Sequence, residues 1–164
     1  MNVYLCGFRG SGKSTIGKVL AKKLELKFLD LDTYVEEKCQ MPITDVFLKY
    51  GEEYFRKVES QCLFEIECTS AVIATGGGAL VSKKNALIAK QYGYIIFIDT
   101  SFSTCYERVQ RNSKRPLANS NSKNQLLTLF KDRLPYYISH SHFQVDGNDS
   151  IETITEKIIT YLKQ

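Results

Sequence analysis

One short segment near the start of the chain restricts its possible folds more than anything else. Gly7-Phe8-Arg9-Gly10-Ser11-Gly12-Lys13-Ser14 satisfies G-x-x-x-x-G-K-[ST] at every specified position. An apolar run from Asn2 to Cys6 precedes it, and Ile16, Val19, Leu20 and Leu24 follow at helical spacing. Between a strand and a helix, Gly7, Gly10 and Gly12 permit the backbone torsions that turn successive N–H groups around a phosphate. The helix opening near Lys13 adds the positive end of its dipole. Lys13 supplies a full charge to the β- and γ-phosphates, and the Ser14 hydroxyl is a ligand for Mg²⁺. Gly10, Ser11, Gly12, Lys13, Ser14 and Thr15 are therefore the expected cradle of a nucleoside triphosphate. A glycine-rich turn matching by chance would not need a strand before it and an amphipathic helix after it.

The remainder continues the alternation. Phe28-Leu29, Ala71 to Ala74, Tyr94 to Ile98 and Phe143 to Val145 read as short strands. Tyr34 to Cys68 reads as mostly helical, with breaks near Pro42 and Gly51. A helix carrying Tyr106 and Val109 follows the fourth strand. A closing helix, capped by Asp149 or Ser150, places Ile151, Ile154, Ile158 and Leu162 on one face. Strands alternating with helices predict an α/β doubly wound domain, a parallel sheet covered on both faces. With 164 residues and no dividing linker, residues 1–164 are expected to form a single domain.

Composition excludes several classes. The longest apolar runs stop at about five residues, far short of the roughly 18 a membrane span requires, and no basic-then-apolar secretory signal opens the chain. Cys6, Cys39, Cys62, Cys68 and Cys105 are odd in number, irregularly spaced and free of any C-x-x-C pair. They predict reduced thiols in a cytoplasmic protein rather than disulfides or zinc. The net charge of +4 is spread through the predicted helices, so a phosphate ligand accounts for it as well as nucleic acid does. His140 and His142, two apart and lacking a third ligand, are assigned no role.

Two further segments can carry chemistry. Asp30-Leu31-Asp32 ends the second predicted strand, and residues two apart in an extended segment point the same way. Carboxyl ends of strands border the ligand crevice of an open α/β sheet. Asp30 is the candidate for the Mg²⁺ site and Asp32 for orienting or deprotonating an acceptor hydroxyl; the plainer alternative is a helix cap at Asp32 with Asp30 on the surface. In Asn112 to Asn124, seven of thirteen residues are Asn or Ser. Beside a phosphate site this stretch reads as a lid rather than a solvated loop.

With these segments in order, the chain resembles shikimate kinase over almost its whole length. The carrying motifs are G-F-R-G-S-G-K-S at Gly7 to Ser14, F-L-D-L-D at Phe28 to Asp32 and G-E-E-Y-F-R-K-V-E at Gly51 to Glu59. A-T-G-G-G at Ala74 to Gly78, R-P-L at Arg115 to Leu117 and R-L-P-Y-Y at Arg133 to Tyr137 complete them. The resemblance implies a five-stranded parallel sheet of order 2-3-1-4-5, the P-loop kinase fold of nucleoside monophosphate kinases. It also implies Mg²⁺-dependent transfer of the ATP γ-phosphoryl group to the 3-hydroxyl of shikimate by a monomer, with no nucleic-acid or membrane partner. By that resemblance Asp30 belongs to the metal site, Asp32 contacts shikimate hydroxyls, and Arg56 and Arg133 grip its carboxylate beside Gly76, Gly77 and Gly78. Arg115 matches the lid arginine that reaches substrate and transferring phosphate, and Arg108 matches the arginine that stacks on adenine. Val145 to Asn148 resembles the adenine loop, with Glu152 where the family often carries proline, and the lid is rich in Asn and Ser rather than Gly.

Elementary chemistry agrees with these roles. Two guanidinium forks bind a planar carboxylate in a bidentate geometry that lysine cannot reproduce. Glu59, three positions after Arg56 on a helix, is close enough to orient it, unless the two merely form a surface ion pair worth under ~1 kcal/mol. Three glycines after a strand allow close backbone approach to a ligand. Phe47 and Phe55 can face a substrate ring or the core. A gluconate-type kinase would not require both the triple glycine and R-P-L, and a nucleotide-binding module without catalysis would not need all of Lys13, Asp30, Asp32, Arg56, Arg115 and Arg133.

Overall fold

The structure, a computed structural model, describes residues 1–112 and 123–164. Strand β1 (Asn2–Cys6) is buried along its whole length because it lies in the middle of the sheet. It pairs in parallel with β3 (Ala71–Ala74) on one side and β4 (Gly93–Asp99) on the other. β2 (Lys27–Asp30) and β5 (Phe143–Asp146) form the edges, giving the order β2-β3-β1-β4-β5. This is the expected 2-3-1-4-5 arrangement.

The pleat of β1 divides the core in two. Tyr4 and Cys6 join Ile73, Ile95 and Phe97 under α2 (Leu31–Cys39), α3 (Ile43–Glu65), α4 (Lys83–Tyr92) and α6 (Lys123–His140). Val3 and Leu5 join Val72, Ile96 and Ile98 under α1 (Lys13–Leu24) and α7 (Ile151–Leu162). Helix α5 (Phe102–Arg111) follows β4 and packs Cys105 and Val109 inward. A parallel sheet covered on both faces needs apolar residues at consecutive positions, which is why β1, β3 and β4 were legible as unbroken apolar runs.

The departures have local causes. β2 was weak in sequence because it is an edge strand whose Lys27 is exposed. Helix α4 buries only Asn85, Ala86 and Ala89, too small and polar a stripe to show a helical period. Helix α6 continues through Pro135, a residue that deprives the carbonyl of Lys131 of its helical donor and reads as a stop; both positions are exposed. Ser150, not Asp149, caps α7 by accepting from Thr153 N at 3.1 Å, and Ile151 at its first position stays largely exposed. Among the described residues no helix is long and apolar enough to cross a membrane.

The expected breaks at Pro42 and Gly51 are both present. Pro42 sits at the start of α3, and Gly51 interrupts that helix with φ 83° and ψ 171°. That conformation is open essentially to glycine alone, although a Cβ there would meet nothing within 4 Å. Gly51→Ala is therefore expected to lower unfolding free energy by about 1–3 kcal/mol through backbone strain alone. Urea denaturation checks this, and an unchanged midpoint would contradict it.

Candidate functional site

Parallel strands end at one edge, and the register brings the functional segments there together. Asp30 pairs with Ala74, Ala74 with Leu5, and Cys6 with Phe97. The next residues along these strands are thus the α2 start, the glycine turn and the phosphate loop.

The loop needs its glycines. Gly7, Gly10 and Gly12 have φ of 149°, 81° and 101°. A Cβ on Gly10 would stand 2.7 Å from the Cys105 carbonyl, so the loop is pressed against α5. Buried Thr100 donates to Ser11 O at 2.9 Å and fixes the loop to the end of β4. Lys13 Nζ donates to Gly7 O at 2.8 Å and Phe8 O at 2.9 Å, which holds the ammonium along the loop. No side chain caps α1, and Ser14 and Thr15 are exposed in its first turn, so the helix dipole opens toward the loop. Arg108 Nη1 donates to Gly10 O at 3.2 Å, placing its exposed guanidinium across the outer side of the loop.

Asp30 joins the loop to α2. Its Oδ1 accepts from Asp32 N at 3.0 Å and Thr33 N at 3.3 Å, and its Oδ2 accepts from the Ser14 hydroxyl at 2.8 Å. Asp30 is therefore the helix cap, and the alternative that placed the cap at Asp32 is wrong. The extended geometry expected for Asp30 to Asp32 is also wrong, because the cap winds the chain into α2 at Leu31 and Asp32 projects from a helical first turn. Ser14 and Asp30 still present two hard oxygens 2.8 Å apart. Neighbouring ligands of an octahedral cation with ~2.1 Å bonds stand about 3 Å apart, so this pair fits Mg²⁺.

The turn after β3 collects the remaining groups, one at each glycine. A Cβ on Gly76 would lie 2.6 Å from Asp32 Oδ1, one on Gly77 3.1 Å from Arg133 Nη1, and one on Gly78 2.5 Å from Arg56 Nη2. A Cβ on Gly77 would also stand 3.6 Å from Arg9 N, so the phosphate loop and the glycine turn lie side by side. Arg56 Nη1 binds Glu59 Oε1 at 2.8 Å, while Arg56 Nε lies 3.6 Å from Glu52 Oε1. Glu59 is only 1% exposed while the Arg56 side chain keeps 31%, so the pair is half-buried, its carboxylate inside, and not a surface one. Burial pushes the Glu59 carboxyl upward, Arg56 opposes the rise, nearby Asp32 adds to it and Arg133 counters it. Phe55 belongs to the core and pairs with Phe47 at 4.6 Å. The Arg56 guanidinium carbon lies 5.1 Å from its ring centroid, so Phe55 supports the arginine.

Asp32, Arg56, Gly76 to Gly78 and Arg133 thus converge, beside Ser14, Asp30 and Arg108 around the loop. Arg115, and the lid segment apart from Asn112, Lys123 and Asn124, lie outside the described residues. The Val145 to Asn148 loop closes on β4, with Gly147 N donating to Asp99 O at 2.7 Å. A polar groove lined by Asp99, Ser101, Gln144, Asp146 and Asn148 opens there. Sequence reasoning missed Thr100 and Tyr137; the latter's hydroxyl donates to Gly77 O. Its spacing of four from Arg133 on a helix was the available signal. The histidines are structural: His142 Nδ1 accepts from Ile95 N at 2.9 Å, and His140 Nδ1 lies 2.7 Å from Leu80 O.

Comparison with known proteins agrees with this geometry. The family model described as shikimate kinase matches residues 9–163. A shikimate kinase of Enterococcus faecalis is 37% identical, covering 99% of both chains. One of Staphylococcus aureus is 41% identical over 98% of this chain and 93% of its own. Among solved structures, shikimate kinase from Acinetobacter baumannii in complex with shikimate superposes with a TM-score of 0.91 at 34% identity, covering 98% of this chain and 92% of that one. The chain belongs to the shikimate kinase family, whose members transfer a phosphoryl group from ATP to shikimate.

Proposed function

We propose that residues 1–164 act as one kinase domain that uses Mg²⁺ and divides the transfer from ATP to the 3-hydroxyl of shikimate among the residues of this cleft. The single observation that carries this reading is the convergence of Asp32, Arg133 and Arg56 on Gly76, Gly77 and Gly78 next to the phosphate loop. Arg56 and Arg133 hold the substrate carboxylate, and the glycine turn gives the ring room to approach backbone. Asp32 orients the 3-hydroxyl and accepts its proton as the oxygen bonds to the γ-phosphorus. The bond from that phosphorus to the bridging oxygen breaks in line, and ADP leaves with the electron pair.

Lys13 and the amides of Gly10 to Thr15 neutralise the phosphate oxygens, and Arg108 borders the adenine end. Ser14 and Asp30 would hold Mg²⁺, which would screen the negative charge of the transferring phosphates. The cysteines among the described residues are unpaired, and Cys6, Cys62 and Cys105 are buried. Burial pushes the Cys6 thiol up to about 12, so it stays protonated and inert. Reduced thiols suit a cytoplasmic protein.

ADP release with Mg²⁺ and ATP against shikimate, quinate, gluconate and nucleoside monophosphates tests the reading; activity on gluconate alone would overturn it. Arg56→Lys or Arg133→Lys should raise the KM for shikimate about tenfold or more, because a point charge replaces a bidentate fork. Either variant with wild-type KM would refute the carboxylate assignment. Asp32→Asn should lower kcat at saturating shikimate by about 10²–10⁴-fold, and an unchanged kcat would remove the proton-acceptor role.

Asp30 separates its two roles by substitution. Asn retains the capping oxygen, so Asp30→Asn should keep stability but require about tenfold more Mg²⁺. Asp30→Ala should lose the cap as well, at about 1 kcal/mol. A wild-type Mg²⁺ requirement in Asp30→Asn would make Asp30 a cap only.

A further inference from the structure

The segment after β3 is tethered by side chains from two helices, and one tether also touches a site arginine. Asn85 Nδ2 of α4 donates to Ala79 O at 2.9 Å, and His140 of α6 meets Leu80 O. Tyr137, also on α6, donates its hydroxyl to Gly77 O. The Arg133 side chain reaches the same place from one helical turn earlier: a Cβ on Gly77 would stand 3.1 Å from Arg133 Nη1 and 3.9 Å from the Tyr137 hydroxyl oxygen. Its ring is buried at 2% exposure and stacks on Phe97 with centroids 5.4 Å apart. Rigid packing therefore fixes where the hydroxyl sits, independently of its hydrogen bonds.

We infer that Tyr137 is a positioning residue for the carboxylate subsite, its hydroxyl tying the Arg133 guanidinium and the Gly77 backbone into one preformed unit. This rests on the proposed role of Arg133. A guanidinium can only donate, so it needs an acceptor on its protein side to hold it before substrate arrives. A phenol can accept that bond and donate its own proton onward to a carbonyl, which phenylalanine cannot. Burial raises the Tyr137 hydroxyl well above the usual phenol range, so it remains a donor to Gly77 across neutral pH. Arg133 freed from this hydroxyl regains rotamer freedom, and substrate binding must then remove it.

The test uses Tyr137→Phe in the full chain, which keeps the ring and its packing. Calorimetric titration with shikimate and with shikimate methyl ester separates carboxylate recognition from ring recognition. Tyr137→Phe should weaken shikimate about 5- to 10-fold, the loss of one hydrogen bond's worth of preorganisation. The methyl ester, which carries no carboxylate charge, should weaken less than about twofold, and ATP affinity should hold. Unchanged shikimate affinity would overturn the inference. Equal losses for acid and ester, or a matching loss of ATP affinity, would also overturn it, by showing that the hydroxyl supports the fold instead. Failure of the wild-type chain to bind shikimate at all would overturn the underlying reading as well, and so stands apart from those outcomes.

Discussion

Close backbone approach after β3 is the constraint on which the site depends. Three consecutive residues there lack side chains, and Asp32, Arg133 and Arg56 each occupy the space where a Cβ would reach. Glycine is used here for volume and not for torsion, since none of the three adopts a left-handed φ. Gathering these charges is possible because they balance. The buried Glu59 carboxylate compensates Arg56, and Arg133 lies beside the Tyr137 hydroxyl at Gly77. Leaving such a charge buried and unpaired would cost several kcal/mol.

The sheet makes the rest follow. Parallel strands in register deliver the ends of β1, β2 and β3 to one edge, so a phosphate loop, a metal-fitting oxygen pair and an arginine-lined turn become neighbours. The contact between the Gly77 position and Arg9 N is where the two halves meet. Asp30 links fold and chemistry in one side chain, because the carboxylate that starts α2 also holds the Ser14 hydroxyl. A residue with both duties places Asp32 by winding the helix that carries it.

How much of this could be read beforehand depended on whether the signal was local. The phosphate loop is a contiguous motif with its own strand and helix, and the central strands are continuous apolar runs, so both were plain. Arg56 and Glu59 are three apart on a helix, so their pairing was visible, but the near-complete burial of Glu59 was not. Convergence of positions 32, 56, 76–78 and 133 involves separate elements and has no sequence period; only resemblance to a family suggested it. Two helices escaped notice, α4 because its buried stripe is small and α6 because Pro135 lies inside it. Tyr137 was lost with α6, since without that helix its alignment with Arg133 has no meaning.

The most direct measurement is the shikimate affinity of Gly78→Ala, followed by calorimetry beside ATP affinity and thermal unfolding. A methyl at Gly78 would stand 2.5 Å from Arg56 Nη2 and 2.6 Å from Nη1, so the fork must leave its place and loosen its hold on buried Glu59. The account predicts a loss of about tenfold or more in shikimate affinity with ATP affinity unchanged, and a lowered unfolding midpoint because Glu59 loses its partner. Wild-type shikimate affinity in Gly78→Ala would contradict it.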